Sequence, residues 1–499
     1  MIAGPTDVFV GVLTALVLLG ALPMVVSTVG FLMVTGHRWR THYGAVDPGE
    51  LPRVAVLVPA WNEAPVLEHS VDRMMDLDYP PDRLRLVVVD DASTDHTPEL
   101  LADAARRHPG RVVALRREQG GQGKAHTLNH GLDVLLEDDW AQAVLITDAD
   151  VIFRPDAIVR MTRHLADPQV GAVTAFIREA SEPSSWLNRY IGYEYAGAQL
   201  AARRAQNVVG AQACLAGGAQ LLSRENLVDL GGRIDTTTLA EDTVTTLKTQ
   251  VAGRRVIFDP HAECLAEEPA SVAGLWKQRL RWSRGNLQVT RRFHGVFFRP
   301  HREHHLGNLW FGLQWYCTML LPAFMILASA ALVAMWLLDS ASAWLAFQAY
   351  WGISALAFVY STVFTLLLDG RIARRSWVQA VTFPGLVNLA ILCWVLAPAP
   401  VELAVGQLAQ GVGLDPGPGA RRWFELAVYL WTSCCMLAAW AVRRVDVMRP
   451  GSRVVVPLLV LVGYGPLLCA ITFAAYVAQA RGAATTWDKT EKTGKVALS

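Results

Sequence analysis

Leu84-Arg85-Leu86-Val87-Val88-Val89-Asp90-Asp91-Ala92-Ser93-Thr94-Asp95 is a short apolar run that ends abruptly in acids and small turn formers. A run this short and this rich in valine reads as a strand buried on both faces, and its polar end as the loop after it. The pattern recurs. Val54-Ala55-Val56-Leu57-Val58 runs into Pro59-Ala60-Trp61-Asn62-Glu63, Val112 to Leu115 is followed by Gly120-Gly121-Gln122-Gly123-Lys124, and Ala143 to Thr147 ends in Asp148-Ala149-Asp150. Helical spacing at Val66, Val71, Met74 and Met75, and again through Leu101, fills the gaps. Strand, polar tip and helix in repetition predict a mostly parallel sheet with helices on both faces. Ligands bind such sheets at the carboxyl ends of the strands, where all of these polar clusters fall.

The composition adds a second region. With 52% hydrophobic and 18% charged residues over 499, the chain is too apolar for an ordinary soluble enzyme, and the excess is concentrated in blocks. Val8 to Val34 is nearly unbroken apolar sequence, about the length a ~30 Å hydrocarbon core demands, and His37-Arg38-Trp39-Arg40 follows at once. It reads as an uncleaved anchor with its N-terminus outside and the chain from Arg38 onward cytosolic. After Arg292 come Leu309–Leu338, Trp344–Leu368, Trp377–Leu396 and Trp423–Val442, each expected to cross. The basic loops Arg371–Arg375 and Arg443–Arg449 are then cytosolic, and the loop from Pro398 to Arg422 lies outside. The stretch Val454 to Ala478 is interrupted by Gly463-Tyr464-Gly465-Pro466, which favours a re-entrant or interfacial course over a sixth crossing. A net charge of +1 gives no basic footprint for nucleic acid. The seven cysteines form no C-x-x-C pair, so neither a zinc site nor a disulfide framework is indicated.

Several clusters carry possible chemistry. Asp148 and Asp150 offer two hard oxygen donors one residue apart, suited to Mg²⁺ or Mn²⁺ held partly through substrate phosphates; a solvated turn is the plain alternative. Gly120 to Lys124 lacks the spacing of a P-loop, yet backbone N–H groups and one lysine can hold a diphosphate. Cys214 to Gln220 is rich in small residues, which lets a sugar or another backbone come close. Glu241-Asp242 stands before a helix, where an acid serves either as general base to a hydroxyl or as a partner of the helix dipole. In Gln278-Arg279-Leu280-Arg281-Trp282, Gln278, Arg281 and Trp282 fall at i, i+3 and i+4 of a helix, an amide, guanidinium and indole on one face. An interfacial anchor beside a membrane segment would use the same residues.

Taken in order and at their spacing over about residues 50 to 290, these motifs resemble the family 2 membrane glycosyltransferases. That family includes cellulose synthase catalytic subunits and the hyaluronan, chitin and poly-N-acetylglucosamine synthases. The resemblance implies an α/β, Rossmann-like GT-A domain inserted between an N-terminal transmembrane helix and a C-terminal transmembrane bundle. It implies inverting transfer from a UDP-sugar to a growing polysaccharide or glycolipid acceptor at the plasma membrane, with a cytosolic catalytic domain. Pro59, Glu63, Asp90, Asp91, Lys124 and Asp148 are then expected at the nucleotide sugar, and Asp148 and Asp150 at Mg²⁺ or Mn²⁺. Glu241-Asp242 would be the catalytic pair, with Asp242 the base. Gln278, Arg281 and Trp282 would hold the pyrophosphate and acceptor, and Trp487, Thr490 and Lys492 match a gating loop. Trp61 and Ala240 depart from the commoner Tyr and Thr of the family and blur the choice of sugar.

The expected organisation is an anchor at 1–40, the catalytic domain at 50–270, interfacial helices with the Gln278–Trp282 motif at 271–305, and about four transmembrane helices at 306–442. A broken segment at 443–481 and a cytosolic tail at 482–499 complete it. A processive synthase is the first reading, transfer of one or a few sugars to a lipid the second, and a non-catalytic envelope scaffold or pore the third.

Overall fold

The valine-rich runs form strands β1 (Val54–Ala60), β2 (Leu84–Asp90), β3 (Val112–Arg116) and β4 (Ala143–Ile146), followed by β5 (Ile152–Phe153), β6 (Val170–Glu179), β7 (Gln220–Ser223) and β8 (Arg255–Ala266). The computed structural model describes residues 5–40, 49–411, 419–483 and 496. The chain divides into a sheet unit of residues 30–270, 284–312 and 482–499 and a helical unit of residues 1–29, 271–283 and 313–481.

In the sheet unit the strand order is β3-β2-β1-β4-β7-β6-β8-β5. β1 to β4 are parallel, as expected from strand–tip–helix repetition. The other half is mixed rather than parallel: β7 runs antiparallel to both β4 and β6, β8 is parallel to β6, and β5 is antiparallel to β8. Because Ile146 pairs with Gln220, the chain enters β7 at the edge where β4 ends. That reversal carries the small-residue loop before β7 to the tip of β4. Alternate side chains of β1 point to opposite faces. Val54, Val56 and Val58 pack with Leu67, Val71 and Met74, while Ala55 and Leu57 pack with Leu128 and Leu132, so helices cover both faces.

Among the described residues, three helices are long and apolar enough to cross a membrane: Leu309–Leu337, Ser342–Leu368 and Ala420–Met448. Three bent pairs would bring the total to six if each were one span. The N-terminal apolar run, expected as one span, is broken into Pro5–Leu19 and Leu22–Arg40 with a 41° bend. A β-carbon on Gly20 would lie 2.7 Å from Ala328 Cβ, so the chain turns where the backbone presses on a neighbouring helix. Trp377–Leu396 is likewise not a single helix. It consists of Gly370–Val381 and Leu386–Leu396 at 75°, and a further helix, Pro398–Gly411, occupies part of what was expected to be a loop.

The expected break in Val454–Ala478 falls at Gly463, where Val455–Val462 and Tyr464–Ala480 meet at 88°. The two sharpest breaks touch. A β-carbon on Gly385 would lie 2.3 Å from Val462 O, one on Gly463 would lie 2.3 Å from Pro384 O, and Gly465 N–H donates to Phe383 O at 3.0 Å. Both glycines have φ near +100°, which side-chain-bearing residues rarely adopt, so only glycine allows this backbone-on-backbone crossing. Trp351, Trp394 and Tyr429 are buried with Phe347 in one aromatic core, against which Trp344 packs.

Candidate active site

The turns after β1 and β2 are laced together by side chain to backbone hydrogen bonds. Asn62 N–H donates to Ser93 Oγ at 2.8 Å, and Thr94 N–H returns to Asn62 Oδ1 at 2.9 Å. Glu63 N–H donates to Thr97 Oγ1 at 2.9 Å, and Asp95 accepts from the N–H groups of Ala64 and Thr97. Burial alone would raise the Asp95 carboxyl, but the hydrogen bonds from Thr97 and Ala64 outweigh it and hold it below the ordinary carboxylate value. Asn62 and Ala92, with φ of 52° and 57°, form the left-handed corners of these turns.

Asp90 and Asp91 are buried at the same edge. Asp90 accepts Ser93 N–H at 3.0 Å and pairs with Arg116 at 2.9 Å. Asp91 pairs with Arg117 and accepts Gly121 N–H at 3.0 Å, which ties the Gly120–Lys124 turn to the tip of β2. Each of the two acids thus meets a backbone N–H with one oxygen and a guanidinium with the other.

From Lys124 onward the site is charged rather than laced. Lys124 Nζ lies 2.5 Å from Asp148 Oδ1 and donates to Gly217 O at 3.0 Å. Burial would lower its pKa, yet Asp148, and with it the charges of Glu241 and Asp242, more than offset that and raise it, so the lysine stays a cation. The loop before β7 is pinned along its length. Ala213, Leu215 and Ala216 donate their N–H groups to Gln206, Thr246 and Thr174, and Thr147 Oγ1 donates to Gly218 O at 2.8 Å. A β-carbon on Gly217 would lie 3.2 Å from Asp242 Oδ2 and 3.6 Å from Lys124 Nζ. The space between base candidate and lysine is therefore floored by a residue that has no side chain.

Glu241 and Asp242 open the helix Glu241–Val251, and Asp242 Oδ1 accepts the N–H of Thr243 at 2.6 Å. The turn leading to them is held from two sides. Arg292 and Lys248 converge on Asp235 at 2.7 and 3.3 Å, and Leu239 N–H donates to Gln288 Oε1 at 3.0 Å. A β-carbon on Gly285 would meet Ala240 Cβ at 2.7 Å, so a helix passes directly against the residue before Glu241. Sequence reasoning missed Gly285, Gln288, Asp235 and Arg292. Their signal was a glycine on a helix that otherwise favours larger residues, with no local hint of what it faces.

Asp148 and Asp150 stay at the tip of β4, where Ser70 Oγ donates to Ala149 O at 2.5 Å. Among the described residues no three His, Cys, Asp or Glu side chains form a metal-holding group. Two carboxylates at a strand end still fit the chemistry of Mg²⁺ or Mn²⁺, which take few protein ligands and complete their shell with phosphate oxygens and water.

Gln278, Arg281 and Trp282 lie on the helix Val272–Phe293 and belong to the helical unit. Trp282 is exposed, whereas Gln278 is buried and accepts a hydrogen bond from Arg279 Nη1 at 2.6 Å. The Arg279 guanidinium also lies 4.1 Å from the Trp282 ring centroid. Arg279 was given no role from sequence, yet it locks both neighbours. Trp487, Thr490 and Lys492 lie outside the described residues. Their flanks are described: Ala483 O accepts from Arg284 Nη2 at 2.6 Å, and Val496 forms a bridge with Ser181 and packs on Ile152, Ala180 and Leu265.

The sheet is GT-A-like, and its tips gather acidic turns, a glycine-rich turn with a partly buried lysine, and a carboxylate at a helix start. Residues 52–285 match the family model described as "Glycosyltransferase like family 2". A probable glycosyltransferase of Bacillus subtilis, YdaM, is 30% identical over 52% of this chain and 62% of its own length. A poly-β-1,6-N-acetyl-D-glucosamine synthase of Staphylococcus aureus is 31% identical over 49% of this chain and 57% of its own length. The chain thus spans about three-fifths of the length of these curated relatives. Among solved structures, a mannosyltransferase of Pyrobaculum calidifontis in complex with GDP-mannose and Mn²⁺ aligns with a TM-score of 0.51 and 28% identity. It covers 73% of this chain and 99% of its own.

Proposed function

We propose that this glycosyltransferase is a membrane-embedded, inverting enzyme that extends a β-linked polysaccharide from a UDP-sugar donor and passes it across the plasma membrane from a cytosolic catalytic domain. The observation that carries the reading is the convergence of Lys124, Asp148 and Asp242 around Gly217, because it joins a diphosphate-binding cation to a carboxylate base across a space open to a sugar. Glu63, Asp90 and Asp91 would line the nucleobase side with Pro59, and Lys124 would face the diphosphate. A divalent cation held by Asp148 and Asp150 would neutralise charge developing on the leaving diphosphate. Asp242 would take the acceptor hydroxyl proton as that oxygen attacks the anomeric carbon, and the sugar–phosphate bond breaks with its electron pair leaving on the nucleoside diphosphate. Gln278, Arg281 and Trp282 would hold pyrophosphate and acceptor by forked donors and ring stacking.

The similarity to a polysaccharide synthase favours polymer as product. The mannosyltransferase, aligned over nearly its whole length in complex with GDP-mannose, favours a GDP-linked donor; the second reading joins that donor to transfer of one or a few sugars to a lipid acceptor. Purified full-length protein incubated with radiolabelled UDP-glucose, UDP-N-acetylglucosamine and GDP-mannose separates them by nucleotide release and product length. A ladder or high polymer is expected from a UDP-sugar. A short glycolipid from GDP-mannose would establish the second reading, and release no greater than background with every donor would leave the chain a scaffold.

A further inference from the structure

The helix Val272–Phe293 carries the Gln278–Trp282 motif, and its first turn is held by residues distant in sequence. Ser271 Oγ accepts Gly274 N–H at 3.1 Å, the ordinary cap from the residue before the helix. The donor just before it, the partly buried Ala273 N–H, is taken by Asp446 Oδ2 at 2.8 Å. Asp446 is 5% exposed and stands in the last turn of the helix Ala420–Met448, so a buried carboxylate from one of the longest apolar helices serves the N-terminal end of another. Charge-assisted bonds of this kind to a helix N-terminus are stronger than neutral ones.

One turn along, the Arg443 guanidinium lies 4.6 Å from the ring centroid of the buried Trp276. Residues 443 and 446 are three apart on one helix, and 273 and 276 are three apart on the other, so each pair shares a face. A two-point attachment fixes both the rotation and the axial position of the helix. Gln278 follows Ala273 by five residues, about 7.5 Å of rise, and the rotation set at the first turn is therefore carried unchanged to the motif.

We propose that Asp446 and Arg443 are positioning residues for Gln278, Arg281 and Trp282, by which the membrane helix sets the aim of the motif. This rests on the reading of that motif as the pyrophosphate and acceptor cradle. Transfer rates depend on sub-ångström placement, whereas equilibrium binding of a nucleotide that is held mainly on its nucleobase side, at Glu63, Asp90 and Asp91, and that meets the motif only at its pyrophosphate depends on it far less. The loss should therefore fall on kcat.

The test is a double-mutant cycle on full-length protein in detergent with Mn²⁺ and UDP-N-acetylglucosamine, or GDP-mannose if the donor panel selects it. Asp446→Ala is expected to lower kcat about tenfold while the affinity for the matching nucleoside diphosphate changes by less than about threefold. Asp446→Asn keeps an oxygen for Ala273 N–H and should recover most of the loss. Combined with Gln278→Ala, Asp446→Ala should cost less than about twofold more, because the motif it serves is already broken. Arg443→Met in the same cycle gives a second reading if Asp446→Ala does not fold. Independent, multiplying losses, an Asn variant no better than Ala, or full turnover in both the Asp446 and Arg443 variants would overturn the proposal. If Gln278→Ala and Trp282→Ala themselves keep full turnover, the cradle reading fails and this proposal with it. If those two variants are crippled while Asp446→Ala is not, the positioning role alone fails.

Discussion

The two sides of the site are built on opposite principles. The turns after β1 and β2 are held by short neutral hydrogen bonds among Asn62, Ser93, Thr94 and Thr97, with Asp95 fastening two further N–H groups. The side that would perform transfer has few such bonds between its key groups and instead a cation, Lys124, paired with Asp148 and kept charged also by Glu241 and Asp242. A zippered turn presents a fixed shape, suited to a flat nucleobase. A charge cluster without a side chain at Gly217 keeps space and potential for a group that changes charge as it reacts. Substitutions on the first side should thus cost mainly stability, and on the second mainly rate.

The largest effect is expected on removing the cation. Chelation with EDTA should bring turnover to background, Mg²⁺ or Mn²⁺ should restore it, and Asp150→Asn should resemble the chelated enzyme, a loss of ~100-fold or more. Full turnover in EDTA would take Asp148-Ala149-Asp150 out of the site. Next comes Gly217→Ala, which inserts a methyl 3.2 Å from Asp242 Oδ2 and 3.6 Å from Lys124 Nζ. Turnover should fall ~10-fold or more with little change in melting temperature; a variant that melts early yet turns over normally would erase the contrast between the two sides.

On the laced side, Asp95→Ala leaves two N–H groups without their acceptor and should cost about 1–2 kcal/mol of stability in urea unfolding, with turnover at saturating donor within about threefold of the parent. A rate loss far beyond that would make the nucleotide turns part of the chemistry. The smallest effect concerns acid. Burial would raise Asp235, but hydrogen bonds from Thr237 and the charge of Arg292 bring it down to about 2. Its folded value lies below the unfolded one, so its contribution is complete above about pH 4 and is lost as pH falls toward 2. Melting curves of the parent and Asp235→Asn should converge over that interval and differ by a constant amount from pH 5 to 8. A difference that changes near neutrality would point to another group.

Much of this arrangement was legible in the sequence where a feature is local. Each strand of the parallel half ends in its own polar tip, so Asp90, Asp91, Asp148 and Asp150 could be put at one edge from the strand–tip–helix pattern alone. The antiparallel β7 was not legible, because its direction is decided by pairing with β4 and β6 and leaves no mark in its four residues. Arg279 was passed over because helical spacing shows which residues share a face but not which are buried, and burial is what turns it toward Gln278 and Trp282. The bends at Gly20 and Gly385 escaped for a similar reason. Apolar composition gives the length of a span, while the break depends on a neighbour, Ala328 in one case and the crossing at Gly463 in the other.

The central claim is that Asp242 is the base of a transfer whose donor is held independently of it. Removing a general base typically costs 10²–10⁴-fold in rate, and Asp242→Asn deletes basicity while keeping size and the acceptor for Thr243 N–H. The direct measurement is turnover and nucleotide affinity of Asp242→Asn side by side in the full-length protein. The expected result is turnover lower by at least ~100-fold with affinity for the nucleoside diphosphate within about threefold of the parent, or ~0.7 kcal/mol. Product formed near the parent rate, or binding lost in proportion to turnover, would contradict it and leave Asp242 as a helix-start carboxylate.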